Sequence, residues 1–216
     1  MIMKRMYPSM LLTLVLSSQV FGQVQENIKD YFIPVTSKNK TTLSSPEVNN
    51  DDLNMIRNIF YINKNGSYDI LTATFMNGNS TGIQTMTVQF SNTDVKMTNS
   101  ISTTMFETNV KKSYNPPSLI LKMPLPGQKA VWETKEISGD LQKCTATWTQ
   151  VQVNGEQRKA IKVVKSFEGL SSVENNYYVK GVGLWKIEFE DDGSIMTQFE
   201  FVSLEYDPHA DKQSNH

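Results

Sequence analysis

Tyr177-Tyr178-Val179-Lys180-Gly181-Val182-Gly183-Leu184-Trp185-Lys186-Ile187-Glu188-Phe189-Glu190 is the stretch whose reading decides the fold. It ends in strict alternation. Trp185, Ile187 and Phe189 fall on one side, and Lys186, Glu188 and Glu190 on the other. A period of two is that of a strand with one packed and one wetted face. Asp191-Asp192-Gly193 follows as a turn signal, and Ile195 to Tyr206 reads as the returning strand. The expectation is the closing hairpin of an antiparallel sheet.

The same pattern extends upstream. Ile59 to Ile62 and Tyr68 to Met76 flank Asn65-Gly66, a pair that tolerates positive φ in a hairpin turn. Leu71, Ala73 and Phe75 share one face of the second arm. Gln84 to Ser91 carries Met86, Val88 and Phe90 together, and Val95 to Thr98 and Ile101 to Val110 continue the meander. Asn115-Pro116-Pro117 and Pro124-Leu125-Pro126-Gly127 interrupt it, because proline removes a backbone donor and fixes φ. The segment 115–127 is therefore expected to join two halves of one sheet. Beyond it, Ala130 to Glu136, Leu141 to Val153 and Ala160 to Phe167 read as strands. In the second of these the phase slips between Trp148 and Val151, and a bulge near Thr149 is expected. Ile161, Val163 and Phe167 share a face. No stretch of 12 or more residues has a helical period of 3.6. Roughly nine to eleven strands, all-β and antiparallel, are predicted to form a curved half-barrel or barrel in a single domain spanning 23–207.

The start of the chain is the least regular. Lys4 and Arg5, the apolar run Met10–Leu16 and the small residues before Gln23 read as a secretory leader over residues 1–22, cleaved near Gly22-Gln23. The run is shorter than the roughly 20 residues a membrane span needs, and no later stretch is apolar enough to span. Export to the periplasm or beyond is the expectation. Asp30 to Val35 reads as a short strand, Thr36 to Asn54 as a loop, and Ser45-Pro46-Glu47 as the start of one short helix. Residues 208–216 read as a polar, disordered tail.

Charge and composition bear on function. The sequence has 21 basic and 22 acidic side chains; cleavage of Lys4 and Arg5 leaves 19 against 22, a net charge of −3. No basic patch is concentrated enough for phosphate contacts, which argues against nucleic acid as a partner. Cys144 is the single cysteine, and His209 and His216 both lie in the tail, so neither a zinc set nor a nucleophile–histidine pair is assembled inside the expected fold. Gly181-Val182-Gly183 lacks the third glycine and following helix of a dinucleotide loop. Glu188 and Glu190 share a strand face about 7 Å apart, a carboxylate pair that reads as an exposed charged face. No catalytic residue, metal ligand or cofactor is assigned. Trp132, Trp148, Tyr177, Tyr178 and Trp185 are the candidate ligand-binding residues, since aromatic side chains lining a concave sheet bind lipid or sugar.

The Tyr-Tyr-Val-Lys-Gly-Val-Gly-Leu-Trp-Lys run at Tyr177–Lys186 resembles the carboxy-terminal signature of TapB-like and related exported bacterial β domains, in which YYxxGVGLVK follows a leucine-proline-glycine stretch and a tryptophan. Leu125-Pro126-Gly127 and Trp132 stand in that place here, and Tyr31-Phe32-Ile33-Pro34 resembles the opening strand. Trp185 departs from the expected valine. The resemblance covers about residues 30–206. It implies a curved antiparallel sheet, similar to the half-barrels of periplasmic lipoprotein carriers, and no catalytic residues. The function expected is non-enzymatic: an envelope protein whose curved sheet binds an apolar ligand, a lipid or a partner chain. The alternatives are a structural or adhesive envelope module and a carboxylate-dependent hydrolase.

Overall fold

In the computed structural model, residues 26–35, 38–46, 54–104, 109–135 and 141–208 are described. The expected leader and all but the first residue of the expected tail lie outside them. One helical turn, α1 (Lys29–Phe32), precedes twelve strands: β1 (Lys40–Ser44), β2 (Asn54–Ile62), β3 (Tyr68–Met76), β4 (Asn79–Phe90), β5 (Asp94–Thr104), β6 (Val110–Lys122), β7 (Ala130–Lys135), β8 (Leu141–Val153), β9 (Glu156–Phe167), β10 (Val173–Val179), β11 (Gly183–Asp191) and β12 (Ser194–Glu205).

All twelve belong to one antiparallel sheet. Its order is β6-β5-β4-β3-β2-β1-β12-β11-β10-β9-β8-β7, a plain up-and-down meander once β1 has paired with β12. The hairpin read from Tyr177–Tyr206 is real, and β1 joins it to the other half. Curvature brings the two outermost strands, β6 and β7, side by side. Side chains bridge them: Trp132 Nε1 donates to the Leu119 carbonyl at 3.1 Å, and the Ser118 and Thr134 hydroxyls lie 2.6 Å apart. The result is a nearly closed barrel whose seam falls in the proline-rich 115–127 region.

Several expectations need correction. Asp30–Val35 is not a strand. Asn27 Oδ1 accepts the Lys29 N–H at 2.9 Å, which starts the α1 turn, and the chain becomes extended again at Ile33. The turn buries Ile28 and Tyr31 completely, and it plugs the barrel end where the β4–β5 and β10–β11 turns lie. Ile28 N–H bonds to Asn92 and Gly181 N–H to Asp30. The polar loop expected over Thr36–Asn54 contains β1, and the short helix expected to start at Ser45-Pro46-Glu47 is absent from the described residues, where Asn54–Ile62 is β2. Lys-Thr-Thr-Leu-Ser carries too few apolar side chains to read as a strand alone, but hydrogen bonds to β2 and β12 on both sides hold it. Pro116 and Pro117 do not end β6. The β5–β6 ladder shifts between Met97 and Asn99, leaving Tyr114–Pro117 without ladder partners, so the missing donors cost nothing there.

The bulge expected near Thr149 is absent. The β8–β9 register runs unbroken from Gln142 to Val153. Cys144 and Ala146 pack in the main core; Val151 and Val153 pack in a second cluster with Ala160, Val179 and Trp185. The slip in phase is thus one strand serving two cores in succession. The bulge is instead in β11, where Tyr177 pairs with Lys186 and Tyr178 with Leu184, leaving Trp185 as the extra residue. Trp185 accordingly leaves the face of Ile187 and stacks on Phe201, ring centroids 5.1 Å apart.

Gly181 and Gly183 make this bend possible. Gly183 has φ +88°, and a Cβ there would lie 3.0 Å from the Phe32 carbonyl oxygen of the plug. Gly193 has a similar φ of +79° with open space around it. Left-handed backbone alone costs an alanine about 1–2 kcal/mol. We therefore expect Gly193→Ala to lose about 1 kcal/mol in urea unfolding and Gly183→Ala about 3 kcal/mol, since only the second also pushes on backbone.

Candidate functional site

Inside the barrel the inward residues follow from register. β9 presents Ile161, Val163 and Lys165. Opposite them β10 presents Tyr178, Asn176 and Glu174, each paired directly. Lys165 thus occupies an apolar-face position, and its partner across the ladder is Glu174. Lys165 Nζ lies 2.7 Å from Glu174 Oε1, and 21 % and 25 % of the two side-chain surfaces stay accessible. Asn176 Nδ2 donates to the same Oε1 at 2.9 Å. Asn176 Oδ1 is buried with no hydrogen-bond partner. On the facing wall, Asn58 links Thr41 (3.3 Å) and Thr72 (2.8 Å) through its side-chain amide.

These groups border two adjoining interior cavities. One, of about 290 Å³, lies among Ile56, Ile70, Leu184 and Ile187 with Asn58, Thr72, Glu174 and Asn176. The other, of about 330 Å³, extends to Met97, Ile120, Gln142 and Cys144, with Lys135 at the end of β7. Phe32, Gln84, Met86, Lys165 and Tyr178 border both, so the two adjoin, and together they are termed the chamber. Its lining is largely apolar, with polar side chains spread over it: Asn58, Thr72, Gln84 and Gln142 as well as Lys165, Glu174 and Asn176. Clefts of this size and lining suit small organic molecules.

The protonation states follow from this burial. Desolvation pulls Lys165 down, but the Glu174 carboxylate beside it more than offsets this, and the ammonium is held above its ordinary range. Desolvation likewise pushes Glu174 up, yet the Lys165 charge and hydrogen bonds from Lys165 and Asn176 bring it below the usual carboxylate value of 4.5. Burial raises the Tyr178 phenol, which stays neutral. A depressed carboxylate stabilises the fold above its unfolded pKa and loses that contribution as pH falls through the folded value; a raised lysine does so below its unfolded pKa and loses it as pH rises through the folded one. The pair therefore supports the fold between about pH 4.5 and about pH 10.5. Glu174→Gln should lower the urea midpoint near pH 7 and flatten its fall between about pH 5 and pH 3, compared with the unaltered protein.

Of the five aromatic candidates, Tyr178 alone borders the chamber. Trp132 and Trp148 belong to the main core, and their indole N–H groups are held by the Leu119 and Pro124 carbonyls. Tyr31 meets the Trp148 ring edge-on at 5.4 Å. Tyr177 and Trp185 belong to the second cluster. Glu188 and Glu190 do not converge on a cavity: Tyr177 Oη donates to Glu188 at 2.6 Å and Asn175 Nδ2 to Glu190 at 3.2 Å. Sequence reasoning missed Lys165, Glu174 and Asn176. The available signal was Lys165 itself, a charge in phase with Ile161, Val163 and Phe167.

Among the described residues no group of three or more His, Cys, Asp and Glu side chains is placed to hold a metal ion, and no helix is long and apolar enough to cross a membrane. Comparison with protein-family models, with curated proteins and with solved structures returned no match to this chain.

Proposed function

We propose that this protein is a small-molecule binder, an exported β-barrel that holds a largely apolar ligand in its interior. One observation carries the reading: two adjoining cavities, lined largely by apolar side chains, are bordered by an internally compensated ion pair, Lys165–Glu174. Binding needs no catalytic group, and among the described residues the one carboxylate bordering the chamber, Glu174, is engaged by Lys165.

Titration with N-phenyl-1-naphthylamine, a neutral dye that brightens in apolar surroundings, tests this. The full chain should show saturable enhancement at one site per molecule. Met86→Trp, which fills the space between the two cavities, should abolish it while leaving the unfolding transition cooperative. Equal enhancement by both proteins would place the dye on the surface and overturn the reading.

A second reading, an envelope scaffold, draws on one feature. Met76, Leu170, Ile195 and Met196 are all exposed on hairpins at the end opposite α1. Exposed apolar clusters mark contact surfaces. Cross-linking in intact envelopes separates the two readings, since a scaffold gives one recurrent neighbour.

A further inference from the structure

We infer that a second, outer site at the plugged end of the barrel takes a single-chain anionic amphiphile, an alkyl carboxylate whose tail lies in a cleft and whose head stays at the rim. The cleft, of about 420 Å³, lies between the segment leaving α1 and the β2–β3 hairpin. Its floor is apolar: Ile33, Pro34, Phe60 and Tyr68 are all buried. Its rim carries apolar surface into solvent, with Ile62 58 % and Val35 46 % exposed. Among the described residues Phe60 alone borders both this cleft and the interior chamber. The cleft is therefore a separate site, and the inference does not rest on the reading above.

Charge decides the class of occupant. Lys29, Lys38 and Lys180 border the cleft, against one acid, Asp30. Lys180 is already engaged, 3.1 Å from Glu26 and 3.8 Å from Asp30. Lys29 Nζ lies 4.8 Å from the centre of the Tyr68 ring, which holds it over the floor. Among the described residues neither Lys29 nor Lys38 forms an ion pair with a carboxylate. Two uncommitted cations beside an apolar floor complement an alkyl anion and repel an alkyl cation. Lys38 is exposed and Lys29 half-buried, so a carboxylate held by them keeps part of its hydration. The desolvation that makes a buried ion pair costly is then largely avoided. The tail meanwhile covers apolar surface of Val35 and Ile62 that is otherwise wetted.

Three probes share one tail and differ in the head: decanoate, 1-decanol and decyltrimethylammonium, each kept below its solubility or micelle limit. Calorimetric titration of the full chain near pH 7 in low salt should place decanoate tightest, by about tenfold over decanol, the value of two exposed ion pairs. Decyltrimethylammonium should bind weakest. Salt at about 0.5 M should shrink the advantage of decanoate. Lys29→Met combined with Lys38→Met should erase it while decanol still binds. Ile62→Glu, at an exposed position, should remove decanoate binding and leave the naphthylamine dye titration unchanged, and Met86→Trp should do the reverse. If decanoate does not bind, or binds no tighter than decyltrimethylammonium, the inference is overturned, and the dye still judges the chamber by itself. Loss of decanoate binding in Met86→Trp would put the anion in the chamber and overturn it equally. The ranking on the unaltered protein decides this even if a variant fails to fold.

Discussion

Lys165→Met is expected to destabilise the protein by about 3 kcal/mol, and adding Glu174→Leu to restore most of that loss. The single change removes an ammonium 2.7 Å from Glu174 and leaves the carboxylate facing an apolar chamber. Its remaining donor, Asn176, supplies one neutral hydrogen bond. Uncompensated buried charges cost about 3–5 kcal/mol; partial accessibility from the cavity places this one at the lower end. The double change replaces both charges by side chains that match the surrounding Ile161, Val163, Leu184 and Ile187. Urea unfolding near pH 7 measures both. A single-variant loss below about 1 kcal/mol would mean that water in the chamber solvates Glu174 well, and that the pair is worth no more than one on the surface.

The second large effect is expected at the seam. Trp132→Ala should cost about 3–5 kcal/mol, and Trp132→Phe about 1–2 kcal/mol. Trp132 is 7 % exposed in the main core, so truncation leaves a cavity as well as losing burial. The phenylalanine variant keeps most of the packing. It removes the indole N–H that reaches across to the Leu119 carbonyl, at a place where β6 and β7 share no ladder of their own. Hydrogen exchange should show the consequence locally, with amides of β6 and β7 exchanging faster in Trp132→Phe and those of β1 and β12, in the middle of the sheet, unchanged. Uniform acceleration across the sheet would show that the seam opens only when the whole domain unfolds.

The plug is held in a similar way. Tyr31 Oη donates to Glu26 at 3.1 Å, and Lys180 and Lys159 lie 3.1 and 3.3 Å from the same carboxylate. Desolvation opposes ionisation of Glu26, but hydrogen bonds from Lys180, Lys159 and Tyr31 hold its pKa below 4.5. Acid should therefore loosen this contact in the same range that weakens Lys165–Glu174.

The all-β architecture was legible because alternation is a local property. In Met86, Val88 and Phe90, or in Ile161 and Val163, each residue's face is set by its neighbours two positions away. The turns were legible for the same reason, since Asn-Gly and Asp-Gly encode their own backbone geometry. β1 was not, because Lys40–Ser44 has little burial pattern and is a strand only through the two strands that flank it. The bulge at Trp185 was hidden too: the alternation of Trp185, Ile187 and Phe189 is intact in the chain and is broken only by pairing with β10. The aromatic candidates separated for a related reason, as tryptophan content reports on burial but not on which of two clusters is filled.

The amino-acid order by itself determined the period of two, the turns and hence the antiparallel sheet, all of which depend on residues a few positions apart. Tertiary structure alone decided that the sheet curls until β6 meets β7, that α1 plugs one end, and that Lys165, Glu174 and Asn176 face a common chamber. Those outcomes depend on twist accumulated over twelve strands and on contacts between residues far apart in the chain, which no local pattern contains.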